Sequence, residues 1–212
     1  MLLNVLIQRQ IPWLSLEALQ NRCVEEVQRN PELGFLLVSE PEPAYTYGRF
    51  ATSGDLLWSR ALLKRKKIAV HAVSRGGKWT FHGPGQILVY PIFQLGRMGS
   101  RRAVRDFLKT LRDSVSADLL SLGISAESSD KPFGIYVAGK KLASFGIAVQ
   151  KGVSSHGLAL YYREQSVFFE GIHPCGVKGE QMTSLRECGV SLSWEEVASS
   201  LVGAIKKGFK IA

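Results

Sequence analysis

Three cysteines stand at positions 23, 175 and 188, with no CxxC pair among them. An odd number without paired spacing predicts neither a disulfide framework nor a zinc knuckle, so each thiol is read in its own context. Cys23 falls on an apolar helical stripe and reads as core, while Cys188, in Arg186-Glu187-Cys188-Gly189, reads as an incidental loop thiol. Cys175 differs. In Phe169-Glu170-Gly171-Ile172-His173-Pro174-Cys175-Gly176 it sits between Pro and Gly on an evident turn, a context that favours access over packing. A nucleophilic cysteine acts as its thiolate, and an unactivated thiol is only a few per cent ionised at neutral pH, so it needs a nearby cation or base. Lys141, His82, His156 and His173 are the available partners. Without one, Cys175 too is a loop thiol.

A lysine pair opens the apolar run Gly139-Lys140-Lys141-Leu142-Ala143-Ser144-Phe145-Gly146. Strand alternation turns one of the two inward and the other outward. An inward lysine is costly unless paired or functional, and burial lowers its pKa, which is how a lysine becomes a base. Two solvated lysines at a strand edge would be the alternative. The third unusual stretch is Arg75-Gly76-Gly77-Lys78-Trp79-Thr80-Phe81-His82-Gly83-Pro84-Gly85-Gln86, whose glycines let the backbone approach a ligand and adopt positive φ. Its spacing fits neither a phosphate-binding P-loop nor a dinucleotide fingerprint. It reads as a ligand-facing loop, with a long glycine-rich hairpin as the alternative.

These segments must be held by the elements around them. Leu16, Leu19, Cys23 and Val27 recur at helical spacing, which predicts a helix from a Ser15 cap to about Asn30, stopped by Pro31. Ala103, Phe107, Leu111, Val115 and Leu119 define a second helix over about 101–120 with Ser100 as its cap. Ser193 and Glu196 form a capping box ahead of Val197, Leu201 and Ile205. Strand-like runs lie at 35–38, 44–47, 68–73, 87–93, 134–137, 142–149 and 157–162. They do not alternate regularly with helices, which argues against a doubly wound parallel sheet and for an α+β domain on a mixed or antiparallel sheet flanked by helices. No repeat, low-complexity segment or linker divides residues 1–212, so a single domain is expected.

Composition narrows the class further. At 45% hydrophobic and 21% charged residues, the chain reads as an ordinary globular protein. No apolar stretch approaches the roughly 20 residues of a membrane span, and the N-terminus lacks the basic region and cleavage site of a signal peptide, so a cytoplasmic location is expected. The net charge of +9 is clustered at Arg60 and Lys64 to Lys67, at Arg97, Arg101, Arg102 and Arg105, and at Lys206, Lys207 and Lys210. Such faces attract acidic partners or serve solubility. No nucleic-acid-binding motif accompanies them.

Taken in order, these segments resemble the lipoyl(octanoyl) transferase family, which shares its fold with lipoate and biotin protein ligases. The resemblance runs from about Phe35 to Leu185. It is carried by Leu36-Leu37-Val38-Ser39-Glu40, Tyr45-Thr46-Tyr47-Gly48-Arg49, residues 75–91, residues 139–146, His156-Gly157-Leu158-Ala159-Leu160, residues 172–176 and Met182-Thr183-Ser184-Leu185. It implies Cys175 as nucleophile and Lys141 as the lysine that lowers its pKa, with Lys140 facing outward. It implies acyl-binding walls at Arg75, Gly76, Gly77, Lys78, Trp79, Thr80, Phe81 and His82, at Ser144, Phe145 and Gly146, and at Gly157, Leu158 and Ala159. The activity implied is octanoyl transfer from octanoyl-acyl carrier protein to lipoyl domains of 2-oxoacid dehydrogenase complexes and the glycine cleavage H protein, with no ATP, no metal and no other cofactor. Turn amides near Cys175 and the segment 144–146 become candidate oxyanion donors. Two departures stand out: Tyr161-Tyr162 replaces the Asn common after the His-Gly-Leu-Ala-Leu run, and Lys78-Trp79 is bulkier than usual inside the glycine-rich segment. A ligase of the same fold would need no nucleophilic cysteine, an amidotransferase between lipoyl-bearing proteins would use one, and a non-catalytic carrier-binding module would need neither Cys175 nor Lys141.

Overall fold

In the computed structural model, the described residues are 1–96, 100–130, 133–173 and 181–211. The chain runs β1 (Leu2–Ile11), α1 (Trp13–Arg29), β2 (Leu33–Pro41), β3 (Ala44–Tyr47), α2 (Arg60–Arg65), β4 (Ala69–Ala72), β5 (Trp79–His82), β6 (Gln86–Ile92) and α3 (Arg101–Ser121). It continues through β7 (Glu127–Asp130), β8 (Phe133–Val137), β9 (Lys140–Gln150), β10 (Val153–Tyr161), α4 (Ser166–Phe169) and α5 (Trp194–Gly208). A seven-stranded sheet has the order β1-β2-β6-β10-β9-β8-β7, and a three-stranded sheet the order β4-β3-β5. β1 with β2 and β3 with β4 are parallel, whereas the other pairs are antiparallel. The sheet is therefore mixed, and the fold is α+β with helices on both faces.

Alternation along the central strands sends neighbouring residues to opposite faces. Phe35, Leu37, Leu88, Tyr90, Ala159 and Tyr161 enter one apolar core with α1 and the small sheet. Leu36, Val38, Ile87, Val89 and Leu160 enter the other, beneath α3 and α5. Ser100 caps α3 by accepting from the Ala103 amide, and the Ser193–Glu196 capping box opens α5, as the spacing predicts. Cys23 is buried on the inner face of α1.

Four features depart from the expected pattern. α1 begins at Trp13 behind Pro12, with no side-chain cap, so Ser15 is not its cap; the fixed φ of proline suits a helix start, and Ser15 lies exposed in the first turn. β1 escapes the pattern because it is an edge strand that leaves Leu2, Val5 and Ile7 in solvent. β7 escapes because its sequence, Glu-Ser-Ser-Asp, is polar at the opposite edge. Part of the segment read as a loop is strand β5, pairing antiparallel with β3 from Trp79↔Tyr47 to His82↔Ala44. Among the described residues, no helix is long and apolar enough to cross a membrane.

Candidate active site

The glycine-rich stretch is fixed from beneath by the chain that leaves β3. The amides of Gly48, Arg49 and Phe50 donate to the carbonyls of Lys78, Arg75 and Gly77 at 3.3, 3.3 and 3.2 Å. Only glycine fits at 48, since a Cβ there would lie 2.6 Å from the Arg75 carbonyl oxygen and 2.7 Å from that of Gly77. Gly77 turns the loop at φ +86°, a region that other residues rarely adopt. Arg75, expected in the acyl wall, is buried, and its guanidinium donates to the carbonyls of Gly76, Lys78 and Thr46 and to the Thr46 hydroxyl at 2.8–3.1 Å. Arg75 is therefore both a wall residue and the clasp of its own loop. Lys78 reaches Asp55 at 3.4 Å, and the Trp79 indole N–H donates to the Thr52 carbonyl at 2.9 Å.

Above this seat lies one narrow cleft, open at its mouth. Its walls include Arg75, Gly76, Gly77, Lys78, Trp79, Thr80 and His82 from the first predicted segment, with Ser144, Phe145 and Gly146 from the second and Gly157, Leu158 and Ala159 from the third. The structure thus brings together every predicted wall residue except Phe81. That ring stacks on Phe168 at 4.3 Å and meets Tyr45 edge-on, deep in the core. The reason is strand geometry: in β5, Thr80 and His82 share the cleft side, and Phe81 must point the other way. Trp79 still contributes because it lies at the strand's start, where the loop curves. Tyr90 and His156 also line the cleft and were not among the predicted wall residues; the alternation of β6 and the His156-Gly157 motif were the signals that could have found them.

Two histidines proposed as partners for the nucleophile turn out to be neutral. Burial, reinforced by the Arg75 charge, pushes His82 and His156 each down to about 3. Neither supplies a cation at neutral pH. The proton of His82 can also be located. Gln86 Nε2 donates to the Phe81 carbonyl at 3.0 Å and to Gln165 Oε1 at 3.3 Å, and Gln165 Nε2 donates to the Pro84 carbonyl at 2.6 Å. A carbonyl can only accept, so Gln86 Oε1 faces His82 Nδ1 at 3.0 Å, and Nδ1 carries the hydrogen. The Trp13 ring stacks on His82 at 5.1 Å. His156 holds φ +57° within β10, anchored by its amide to Gln20 Oε1 at 2.8 Å and by Nε2 to the Ser74 hydroxyl at 3.3 Å.

Lys141 is fully buried and Lys140 exposed, as alternation required. Lys141 Nζ stands 5.3 Å from the centre of the Tyr136 ring. Its backbone is tied to the chain that follows residue 180: the Lys141 amide donates to the Gln181 carbonyl at 2.8 Å, and the Thr183 amide to the Lys141 carbonyl at 2.9 Å. On the other side, the His173 amide donates to the Asp55 carbonyl at 2.8 Å. Cys175 lies outside the described residues. Arg97 of the basic clusters does so too. Ser144 Oγ and the Tyr161 hydroxyl are 2.7 Å apart, which joins one of the unusual tyrosines to the segment expected to donate to an oxyanion. The other, Tyr162, turns to the far core, where its hydroxyl donates to the Leu192 carbonyl at 3.0 Å.

The chain belongs to the lipoyl protein ligase A/B catalytic domain family, whose pattern matches residues 15–206. Its relatives within that family are narrower in kind. A probable octanoyltransferase of Pyrobaculum arsenaticum is 35% identical over 89% of this chain and 84% of its own. An octanoyltransferase of Caldanaerobacter subterraneus is 33% identical over 95% and 87%, and a mitochondrial octanoyltransferase of Arabidopsis thaliana 34% over 90% and 82%. In fold, the chain superposes along its whole length on 87% of a lipoate-protein ligase A bound with ATP, with a TM-score of 0.81 at 16% identity. The ligase of a bi-partite system from Thermoplasma acidophilum gives 0.82 at 13%, over all of this chain and 85% of that one.

Proposed function

We propose that this chain is an octanoyltransferase that moves an octanoyl group from the phosphopantetheine thioester of an acyl carrier protein to a lysine of a lipoyl domain, through a thioester on Cys175. The Cys175 thiolate attacks the donor carbonyl, the carrier thiolate leaves and takes a proton from the Lys141 ammonium, and the acyl group rests on the enzyme beside a now neutral Lys141. The neutral amine of the acceptor lysine then attacks this thioester, its proton passing to Lys141, and the Cys175 thiolate departs as the amide forms. Thioester exchange is nearly isoenergetic, while amide formation is downhill, so the second step draws the sequence forward. The acyl chain lies along Phe145, Leu158 and Ala159, opposite the glycines of the other wall.

The observation that carries this reading is the full burial of Lys141 next to an exposed Lys140. Burying an ammonium group is costly enough that such a lysine calls for a partner or a task. The similarity to octanoyltransferases over nearly the whole chain supplies the acyl group. The test is intact-mass spectrometry after mixing with octanoyl-acyl carrier protein without ATP. One octanoyl adduct, mapped to Cys175 and discharged by a lipoyl domain, is expected. Transfer that requires free octanoate and ATP, with no adduct, would make the chain a ligase.

A further inference from the structure

Trp79, which closes one wall of the acyl cleft, also lines a second, open groove on its other side, beside α2 and the small sheet. Leu56, Leu63, Ile68 and Val70 give this groove an apolar floor, and Val70 is 40% exposed. Arg60 and Lys64 stand in its lining, followed on α2 and just beyond by Arg65, Lys66 and Lys67, all exposed. Among the described residues, no Asp or Glu lines it. The carboxylate of Asp55, close by in the chain, is turned to the Thr52 hydroxyl and to Lys78. An apolar floor with a rim of one sign fits a protein surface that presents an apolar stripe flanked by carboxylates.

Position separates this basic cluster from the others. Arg101, Arg102 and Arg105 lie on α3, and Lys206 and Lys207 on α5, the two helices that cover the opposite face of the large sheet. Among the described residues of these clusters, only those at α2 adjoin a wall of the acyl cleft. Moreover, Ala51 and Thr52 of the groove continue directly from the three amides that clasp the glycine-rich loop. A protein seated there rests one side chain away from the acyl-binding space.

We infer that this groove docks the acidic protein that delivers the acyl thioester, through an apolar stripe on its contact face and carboxylates against Arg60 and Lys64. The assignment rests on the octanoyl-transfer reading. It is tested with Arg60→Glu/Lys64→Glu and, separately, Val70→Asp, all at exposed positions, with Arg101→Glu/Arg102→Glu as the control on the far face. Two donors are compared, octanoyl-acyl carrier protein and the small neutral thioester octanoyl-N-acetylcysteamine, and acyl-enzyme formation is followed by intact mass. The groove variants should raise the KM for the carrier by about tenfold or more and flatten its salt dependence, while kinetics with the small donor and of the far-face control stay at wild-type values. Unchanged carrier kinetics would overturn the assignment. So would equal slowing with both donors, which would mean a distorted cleft wall, or a KM increase confined to the lipoyl-domain acceptor, which would give the groove to the other partner. If the wild type accepts acyl from neither donor, the octanoyl-transfer reading falls and the groove's role with it.

Discussion

Replacing Gly48 by alanine should damage the cleft without replacing any residue that lines it. The added Cβ would stand 2.6, 2.7 and 2.9 Å from the carbonyl oxygens of Arg75, Gly77 and Gly76, where ordinary contact begins at 3.4 Å. All three neighbours are backbone, so no side chain can swing aside, and the glycine-rich loop has to lift. Lifting stretches the three bonds from the amides of residues 48–50, already 3.2–3.3 Å long. With each worth about 0.5–1.5 kcal/mol net, their loss costs about 1.5–4.5 kcal/mol. In a domain of this size that lowers the melting temperature by roughly 3–18 °C. The loop carries Arg75, Gly76 and Gly77 of the cleft wall, and a misplacement of about 1 Å can cost on the order of a hundredfold in rate. The measurements are thermal unfolding and the single-turnover rate of acyl-enzyme formation, with Gly54→Ala as control because a Cβ there meets nothing within 4 Å. Gly48→Ala with wild-type melting and a wild-type rate would refute the view that this contact seats the loop.

Cys175→Ser and Cys175→Ala should abolish transfer, whereas Cys23→Ser and Cys188→Ser keep it; burial holds the Cys23 thiol up at about 11, and an octanoyl adduct mapping to either of the latter positions would reverse the assignment. Lys141→Met should move the Cys175 thiol toward its unperturbed value of about 8.5, read from the pH dependence of iodoacetamide alkylation, while Lys140→Met leaves the profile in place; the opposite pattern would name the wrong lysine. Tyr161→Phe removes the hydroxyl partner of Ser144 and should slow acylation with the fold intact; equal rates would detach this pair from the reaction. His82 and His156 have folded pKa values of about 3 against about 6.5 unfolded, so the unfolded state binds more protons between these limits and stability falls as pH drops through that window. His156→Gln should lessen the decline of the urea midpoint between pH 6.5 and 4, and an unchanged slope would count against its burial as a neutral ring.

Much of this arrangement is legible in the chain, for reasons that differ by element. α3 and α5 announce themselves because their apolar residues keep a helical period and their first turns carry serine caps. β5 hides because Trp79 to His82 reads as ligand chemistry inside a glycine-rich run, although its pairing with β3 gives it ordinary alternation. That alternation explains why Phe81 belongs to the core while Thr80 and His82 reach the cleft. Period two sends one of Lys140 and Lys141 inward, and the family resemblance is what singles out Lys141. What no local pattern could give are contacts between distant segments: Gly48 beneath residues 75–77, Gln165 fixing the tautomer of His82 through Gln86, and Trp79 shared between two cavities.

The clasp made by Arg75 bears on the thermodynamics of substrate capture. Its guanidinium donates to protein oxygens on both sides of the glycine-rich loop, so the wall is held by internal bonds rather than by contact with an acyl chain. A loop with adjacent glycines would otherwise lose much conformational entropy on binding, a cost that weakens affinity for a ligand as small as an eight-carbon chain. Here that ordering is completed during folding. A ligand entering this cleft therefore has no ordering of this loop left to accomplish.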